Sequence, residues 1–210
     1  TLLAVAPMFH ANAWGLPFSA TMCGTRIVLP GPNVDPESIL DLIEQEHVTI
    51  ACGVPTVWIG VLDTLEKNPG RWKINWPVRL AAGGTAPPEA LMRGLDRFGF
   101  HLIHLWGMTE TTPLGTTGQL KAHMRDWPAD RQYEVRAKQG WPAPFVELRV
   151  MRPDGEAPWD GKTIGELEIR GPWVAASYFK SPETADRWTS DGWFRTGDIA
   201  SIDAEGYVKI

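Results

Sequence analysis

A chain of 210 residues with 43% hydrophobic content buries a sizeable core in one large domain or two small ones, which excludes a disordered chain. Its 20 basic and 25 acidic residues leave a net charge of −5 without a basic block, which argues against nucleic acid as a main partner and leaves any phosphate to be bound locally. No apolar run of about 18 residues and no signal-peptide pattern occurs, so no integral membrane segment is expected.

Residues 1–9 read as a buried strand, and Ala11–Cys23 as a helix ending at Gly24. Arg26–Leu29 is the next strand. Asp35 caps a helix that has Pro36 at its first position and runs to about His47. Val48–Ala51 is strand, Pro55–Lys67 helix closed by Asn-Pro-Gly, and Val78–Ala82 strand again. Gly83-Gly84-Thr85-Ala86-Pro87-Pro88 leads into a helix reaching Phe98, after which residues 101–106 form an apolar strand that stops at Gly107. Beyond a polar helix near Asp130–Lys138 the pattern changes to short strands divided by turns: Val146–Met151, Gly165–Arg170 and Trp173–Tyr178. A small helix capped by Ser181 follows, then a hairpin turning at Asp203–Gly206. The class is α/β, a layered, mainly parallel sheet with helices over residues 1–119, followed by a small antiparallel β-barrel-like or sandwich subdomain over 120–210. Thr1 starts inside one apolar strand pattern and Ile210 stops inside another, so a fragment is expected. Cys23 and Cys52 lack CxxC spacing and sit in apolar surroundings, which predicts buried free thiols in a reducing, cytoplasmic compartment. Most of the eleven tryptophans are expected to be packing anchors, with Trp14 and Trp106 as the site candidates.

Three stretches carry the candidate chemistry. The first is Trp106-Gly107-Met108-Thr109-Glu110-Thr111-Thr112, a polar loop at a strand end, where open α/β sheets place their ligands. Trp106 offers a flat π-face, Gly107 close backbone approach, and Glu110 an oxygen ligand for a hard cation such as Mg²⁺. The second is Trp193-Phe194-Arg195-Thr196-Gly197-Asp198, and the third Pro7-Met8-Phe9-His10. Taken singly, each also reads as packing residues and solvated turns. Their order along one chain is what makes them specific.

Together these stretches resemble the adenylate-forming superfamily of acyl-CoA synthetases, luciferases and peptide-synthetase adenylation domains. Trp-Gly-Met-Thr-Glu resembles its aromatic-Gly-x-Thr-Glu motif, Phe-Arg-Thr-Gly-Asp its aromatic-Arg-Thr-Gly-Asp motif, and Pro-Met-Phe-His its Pro-x-Phe-His motif. The run His10–Trp14 is most similar to the fatty-acyl-CoA and methylthioalkanoate-CoA ligase branch. The resemblance implies a two-step joining of a small carboxylic acid to CoA, with ATP consumed to make an acyl-adenylate and Mg²⁺ on the phosphates. It further implies that Glu110 holds the metal, Thr109 meets the α-phosphate, and Asp198 takes the ribose hydroxyls. Gly83, Gly84, Thr85, Trp106, Gly107 and Met108 would border the nucleotide. His10 would stand near the substrate carboxylate, with Trp14 gating the acyl tunnel. Trp106 departs from the Tyr of most members, keeping a stacking face and losing a phenol.

Leu105 stands where many relatives have Gly, and its volume predicts a shorter acyl pocket that favours short or medium acids or a methylthioalkanoate. Gly115–Lys121 looks like the family's phosphate loop but follows Thr-Glu and lacks the Pro and final Gly, so it is read as a coincidence. With that loop, the hinge and the C-terminal lid outside these residues, the 210-residue chain alone is expected to have little ligase activity. An aryl-acid ligase or a carrier-protein-loading adenylation domain is the nearest alternative. A non-catalytic nucleotide-binding module is the alternative of another class. A dehydrogenase is disfavoured because no GxGxxG joins a strand to a helix. Oligomeric state, a homodimer included, is not legible in these residues.

Overall fold

A computed structural model describes residues 1–210. Its first layer is a seven-stranded sheet in the order β2-β1-β3-β4-β5-β6-β7. Strands β1 (Leu2–Ala4), β2 (Ile27–Val28), β3 (Ile50–Gly53), β4 (Val78–Ala82) and β5 (Phe100–Trp106) are parallel, and β6 (Thr116–Thr117) and β7 (Trp141–Pro142) extend the edge antiparallel. Parallel strands need helical crossovers, and the sequence supplies them with clear start signals. In α3 (Pro36–Gln45) the Asp35 carboxylate accepts from Ser38 N at 2.9 Å and Ser38 Oγ at 2.7 Å, with Pro36 opening the first turn. Its inward stripe, Ile39, Leu40 and Ile43, is wholly buried. Helix α4 (Pro55–Lys67) drives Trp58 into the same core, where its indole donates to the Ala81 carbonyl at 3.2 Å, and α5 (Glu89–Asp96) adds Leu91, Met92 and Leu95. Truncating so well buried a side chain as Trp58 to Ala costs about 3–5 kcal/mol.

The second layer is one five-stranded antiparallel sheet in the order β12-β11-β10-β8-β9. It comprises β8 (Glu147–Arg152), β9 (Gly155–Glu156), β10 (Gly165–Arg170), β11 (Phe194–Ile202) and β12 (Val208–Lys209), around Leu148, Val150, Leu167, Ile169 and Phe194. The change of sheet falls after Pro142 rather than at residue 120, because Thr116–Thr117 and Trp141–Pro142 still pair with β5. Between the sheets lies a joint. Helix α6 (Ala129–Arg136) packs on α5, and Met124, Val135 and Tyr207 share a small apolar cluster. Val208 N donates to the Gly140 carbonyl at 2.8 Å, and Gln139 N to the Val208 carbonyl at 3.0 Å. Gly140 has φ +102°, and a Cβ there would lie 2.1 Å from the Thr117 backbone, so only glycine fits this crossing.

Three expected elements differ. Ala11–Cys23 is not one helix: Ala11–Trp14 forms a single left-handed turn, α1, and the right-handed helix α2 begins at Leu16 and ends at Met22. Trp173–Tyr178 is not a strand, because its backbone bonds to the Glu110 loop instead of a neighbouring strand. The turn after Ser181 is a 3₁₀ helix, Pro182–Arg187, that the Ser181 side chain does not cap. Cys52 is buried as expected, whereas Cys23, past the end of α2, is exposed.

Candidate functional site

A cavity of about 570 Å³ opens at the carboxyl ends of the parallel strands. His10 and Trp14 enter it from the chain after β1, Gly83 and Gly84 from the chain after β4, and Leu105 to Thr109 from the end of β5. The sequence-predicted residues that do not line it are Thr85, Glu110 and Asp198. Thr85 is exposed, and Glu110 and Asp198 are half-buried.

One end of the cavity is built by α1. Ala11, Asn12, Ala13 and Trp14 all have positive φ, 42°, 54°, 50° and 58°, and Gly15 follows at 71°. Four consecutive non-glycine residues in this region are strained, and strain of this kind persists where the surroundings enforce it. The turn is closed by Trp14 N donating to the His10 carbonyl and Gly15 N to that of Ala11, each at 3.0 Å. Its product is the placement of the Trp14 indole over Gly83, where a Cβ would meet Trp14 Cη2 at 3.4 Å and the Leu105 carbonyl at 3.3 Å. The space left by Gly83 is therefore shared with Trp14 and Leu105. The His10 imidazole is tilted against the Phe9 ring at 4.7 Å. Cys52 also faces the cavity, and burial pushes its thiol up to about 12 despite the opposing charge of Arg79. It is a protonated wall residue, not a nucleophile.

The other end is assembled across the two sheets. Trp106 Nε1 donates to Asp198 Oδ2 at 3.0 Å, joining the last residue of β5 to the middle of β11. Asp198 is further fixed by its own N–H to Thr196 Oγ1 at 3.1 Å, and that buried hydroxyl donates to the Leu167 carbonyl at 2.7 Å. The loop after Trp106 is self-bonded. Met108 N donates to Thr111 Oγ1 at 2.8 Å, and Thr111 Oγ1 donates to the Pro113 carbonyl at 2.6 Å. Gly107 lines the cavity and also serves this loop, since a Cβ would lie 1.6 Å from the Pro113 carbonyl oxygen. Thr109 opens the following 3₁₀ turn, exposed at the cavity wall. Glu110, next in that turn, accepts a hydrogen bond from the Tyr178 hydroxyl, and its carbonyl accepts from Ala175 N at 2.8 Å. Tyr178 is a residue that the motifs did not point to; it lies 68 positions away, with no local spacing to announce it.

No group of three or more His, Cys, Asp or Glu side chains forms a metal cage. A single carboxylate such as Glu110 suits a Mg²⁺ ion that keeps waters and phosphate oxygens as its other ligands. The phosphate-loop lookalike is spoken for by structure: Thr116–Thr117 is strand β6, and Thr116 Oγ1 donates to the Gln139 carbonyl at 2.5 Å.

A cavity at the carboxyl edge of a parallel sheet, walled by an aromatic residue braced on a carboxylate, defines an α/β protein with a site where such sheets place their ligands. The chain belongs to the AMP-binding enzyme family, which matches residues 1–179. It is 43% identical over 211 residues to a long-chain-fatty-acid–CoA ligase from Thermus thermophilus, covering 100% of this chain and 39% of that protein. It is also 43% identical over 211 residues to a 3-methylmercaptopropionyl-CoA ligase from Ruegeria pomeroyi, covering 100% of this chain and 38% of that protein. The solved structure of a long-chain-fatty-acid-CoA ligase from Archaeoglobus fulgidus superposes with a TM-score of 0.82 at 27% identity, over 99% of this chain and 42% of that one. The chain spans about two fifths of the length of the curated relatives it matches.

Proposed function

We propose that this chain supplies the acyl and adenylate sites of an ATP-dependent carboxylic acid–CoA ligase. The observation that supports the reading most is the single cavity running from His10, Trp14, Gly83 and Leu105 to the Trp106 wall that Asp198 braces. A carboxylate oxygen attacks the α-phosphorus of ATP, the bond to pyrophosphate breaks, and an acyl-adenylate forms. The thiolate of CoA then attacks the acyl carbonyl and AMP leaves. Both partners of the first step are negative, so the site has to orient them and exclude water.

In this reading the Trp106 face carries the adenine and Asp198 accepts from the ribose hydroxyls, one of its oxygens already aligned by the indole N–H. Thr109 donates to the α-phosphate. His10 stands at the substrate carboxylate. Mg²⁺, when bound, offsets the phosphate charge, and Glu110 is the residue that would hold it. Leu105 and Trp14 shorten the acyl end, which favours a short or medium acid. Equal identity to a long-chain and a methylmercaptopropionyl ligase leaves that choice to the pocket residues. Free thiols at Cys23 and Cys52 fit a cytoplasmic setting, and no helix is long and apolar enough to cross a membrane.

The test is carboxylate-dependent exchange of labelled pyrophosphate into ATP by the full-length gene product, with acids from propionate and methylthiopropionate to palmitate. Exchange peaking on a short or medium acid is expected. A palmitate peak refutes the Leu105 argument, and no exchange with any acid refutes the ligase reading.

A further inference from the structure

We propose that Tyr178 is a positioning residue that holds the Glu110 carboxylate in the orientation that receives the phosphate-bound metal. This rests on the reading of Glu110 as the metal carboxylate and extends it to a residue outside every motif considered above.

Glu110 sits in a three-residue 3₁₀ turn at the chain surface, where nothing in the turn itself fixes its three side-chain torsions. The Tyr178 hydroxyl donates to its Oε1 and leaves Oε2 for a cation. A phenol suits this task because it donates without carrying charge and so does not compete with the metal.

Tyr178 is itself braced. Its ring packs edge-on against Trp188 at 5.3 Å, and the Trp188 indole donates to the Ala175 carbonyl at 2.8 Å. Ala175 N in turn donates to the Glu110 carbonyl at 2.8 Å, and Thr112 Oγ1 to the Trp173 carbonyl at 2.8 Å. Trp188 also lies on Phe194 at 5.0 Å, the first residue of the strand that carries Asp198. Residues 173–188 thus form a strut whose one side chain aimed at the loop carboxylate is Tyr178. Partners that orient a metal ligand typically change metal affinity by about 10–100-fold when removed.

The experiment uses the full-length gene product, its Tyr178→Phe and Glu110→Gln variants, and the double variant. Mn²⁺ stands in for Mg²⁺, and its binding in the presence of ATP is read by water-proton relaxation, with thermal unfolding followed in parallel. Tyr178→Phe keeps the ring on Trp188 and is expected to weaken Mn²⁺ by about 10-fold with little change in unfolding temperature. Excess Mg²⁺ should restore its pyrophosphate exchange. In the Glu110→Gln background, removal of the phenol should add nothing. Unchanged Mn²⁺ affinity in Tyr178→Phe beside a clear loss in Glu110→Gln overturns the positioning role and leaves the metal reading standing. Unchanged affinity in Glu110→Gln overturns both. A further loss in the double variant, or a Tyr178→Phe defect that Mg²⁺ does not rescue, assigns Tyr178 to packing alone and also overturns the role.

Discussion

The two ends of the cavity are held by different kinds of structure. At the end proposed for the acyl group, Trp14, Gly83 and Leu105 come from turns and strand ends of one sheet and meet by direct packing. At the end proposed for the nucleotide, the decisive contacts cross between distant parts of the chain: Trp106 to Asp198 over 92 positions and Glu110 to Tyr178 over 68. The acyl end therefore depends on the packing of the parallel sheet. The nucleotide end depends on how the two sheets are joined, so a change in the joint should reach one end before the other.

The largest effect is expected at the joint itself. Arg136, on α6, grips the Asp96 carboxylate of α5 with both terminal nitrogens, and its side chain is only 6% exposed. Arg136→Ala leaves that carboxylate half-partnered and should cost about 3–5 kcal/mol in denaturant unfolding. Nucleotide affinity should fall before acid preference changes, and the reverse order would break the comparison. Acid should act at the same place. Burial alone would raise the Asp96 carboxyl, but hydrogen bonds from His101, Arg136 and Tyr133 outweigh it and hold the group well below the usual carboxylate range. Stability from a depressed carboxyl is complete above its unfolded pKa, about 3.9, and is lost as pH falls through the folded value. Unfolding curves below about pH 4 should therefore steepen with acid, and Asp96→Asn should flatten that slope.

Next in size, Asp198→Ala removes both charged acceptor oxygens and should weaken AMP binding by about 100-fold in calorimetry, leaving the order of preferred acids unchanged. Trp106→Phe is subtler. It keeps an aromatic face and deletes only the N–H that aligns Asp198, so AMP affinity should drop by about 10-fold. Equal affinity would show that the indole–carboxylate bond is packing rather than preparation for ribose. Leu105→Gly is the smallest change and the only one confined to the acyl end. It should shift exchange activity by roughly 10-fold or less toward longer acids without altering AMP affinity.

How much of this was legible followed the same division. Helices with local start signals, such as α3 behind Asp35-Pro36, and strands with long apolar runs, such as β5, follow from spacing alone. The motif residues Trp106 and Asp198 were nameable, but the bond between them was not, because nothing local fixes a contact between two sheets. Ala11–Trp14 misled because its composition favours a helix while the turn needed to bring Trp14 onto Gly83 has the opposite hand. The apolar run Trp173–Tyr178 misled for a related reason: its hydrogen bonds go to the Glu110 loop. Gly107 was legible as a close-approach residue, but the Pro113 carbonyl that packs where its side chain would start was not, because that contact belongs to the fold of the loop.

The central claim is that the two ends form one continuous acyl-adenylate site, and it is tested most directly by titrating the 210-residue chain with a non-hydrolysable acyl-sulfamoyl adenosine. Joining the two halves converts the second binding event into an intramolecular one, so the linked compound should bind about 100-fold or more tightly than AMP. Affinity no better than that of AMP, with medium-chain and short-chain acyl groups alike, would contradict a shared cavity.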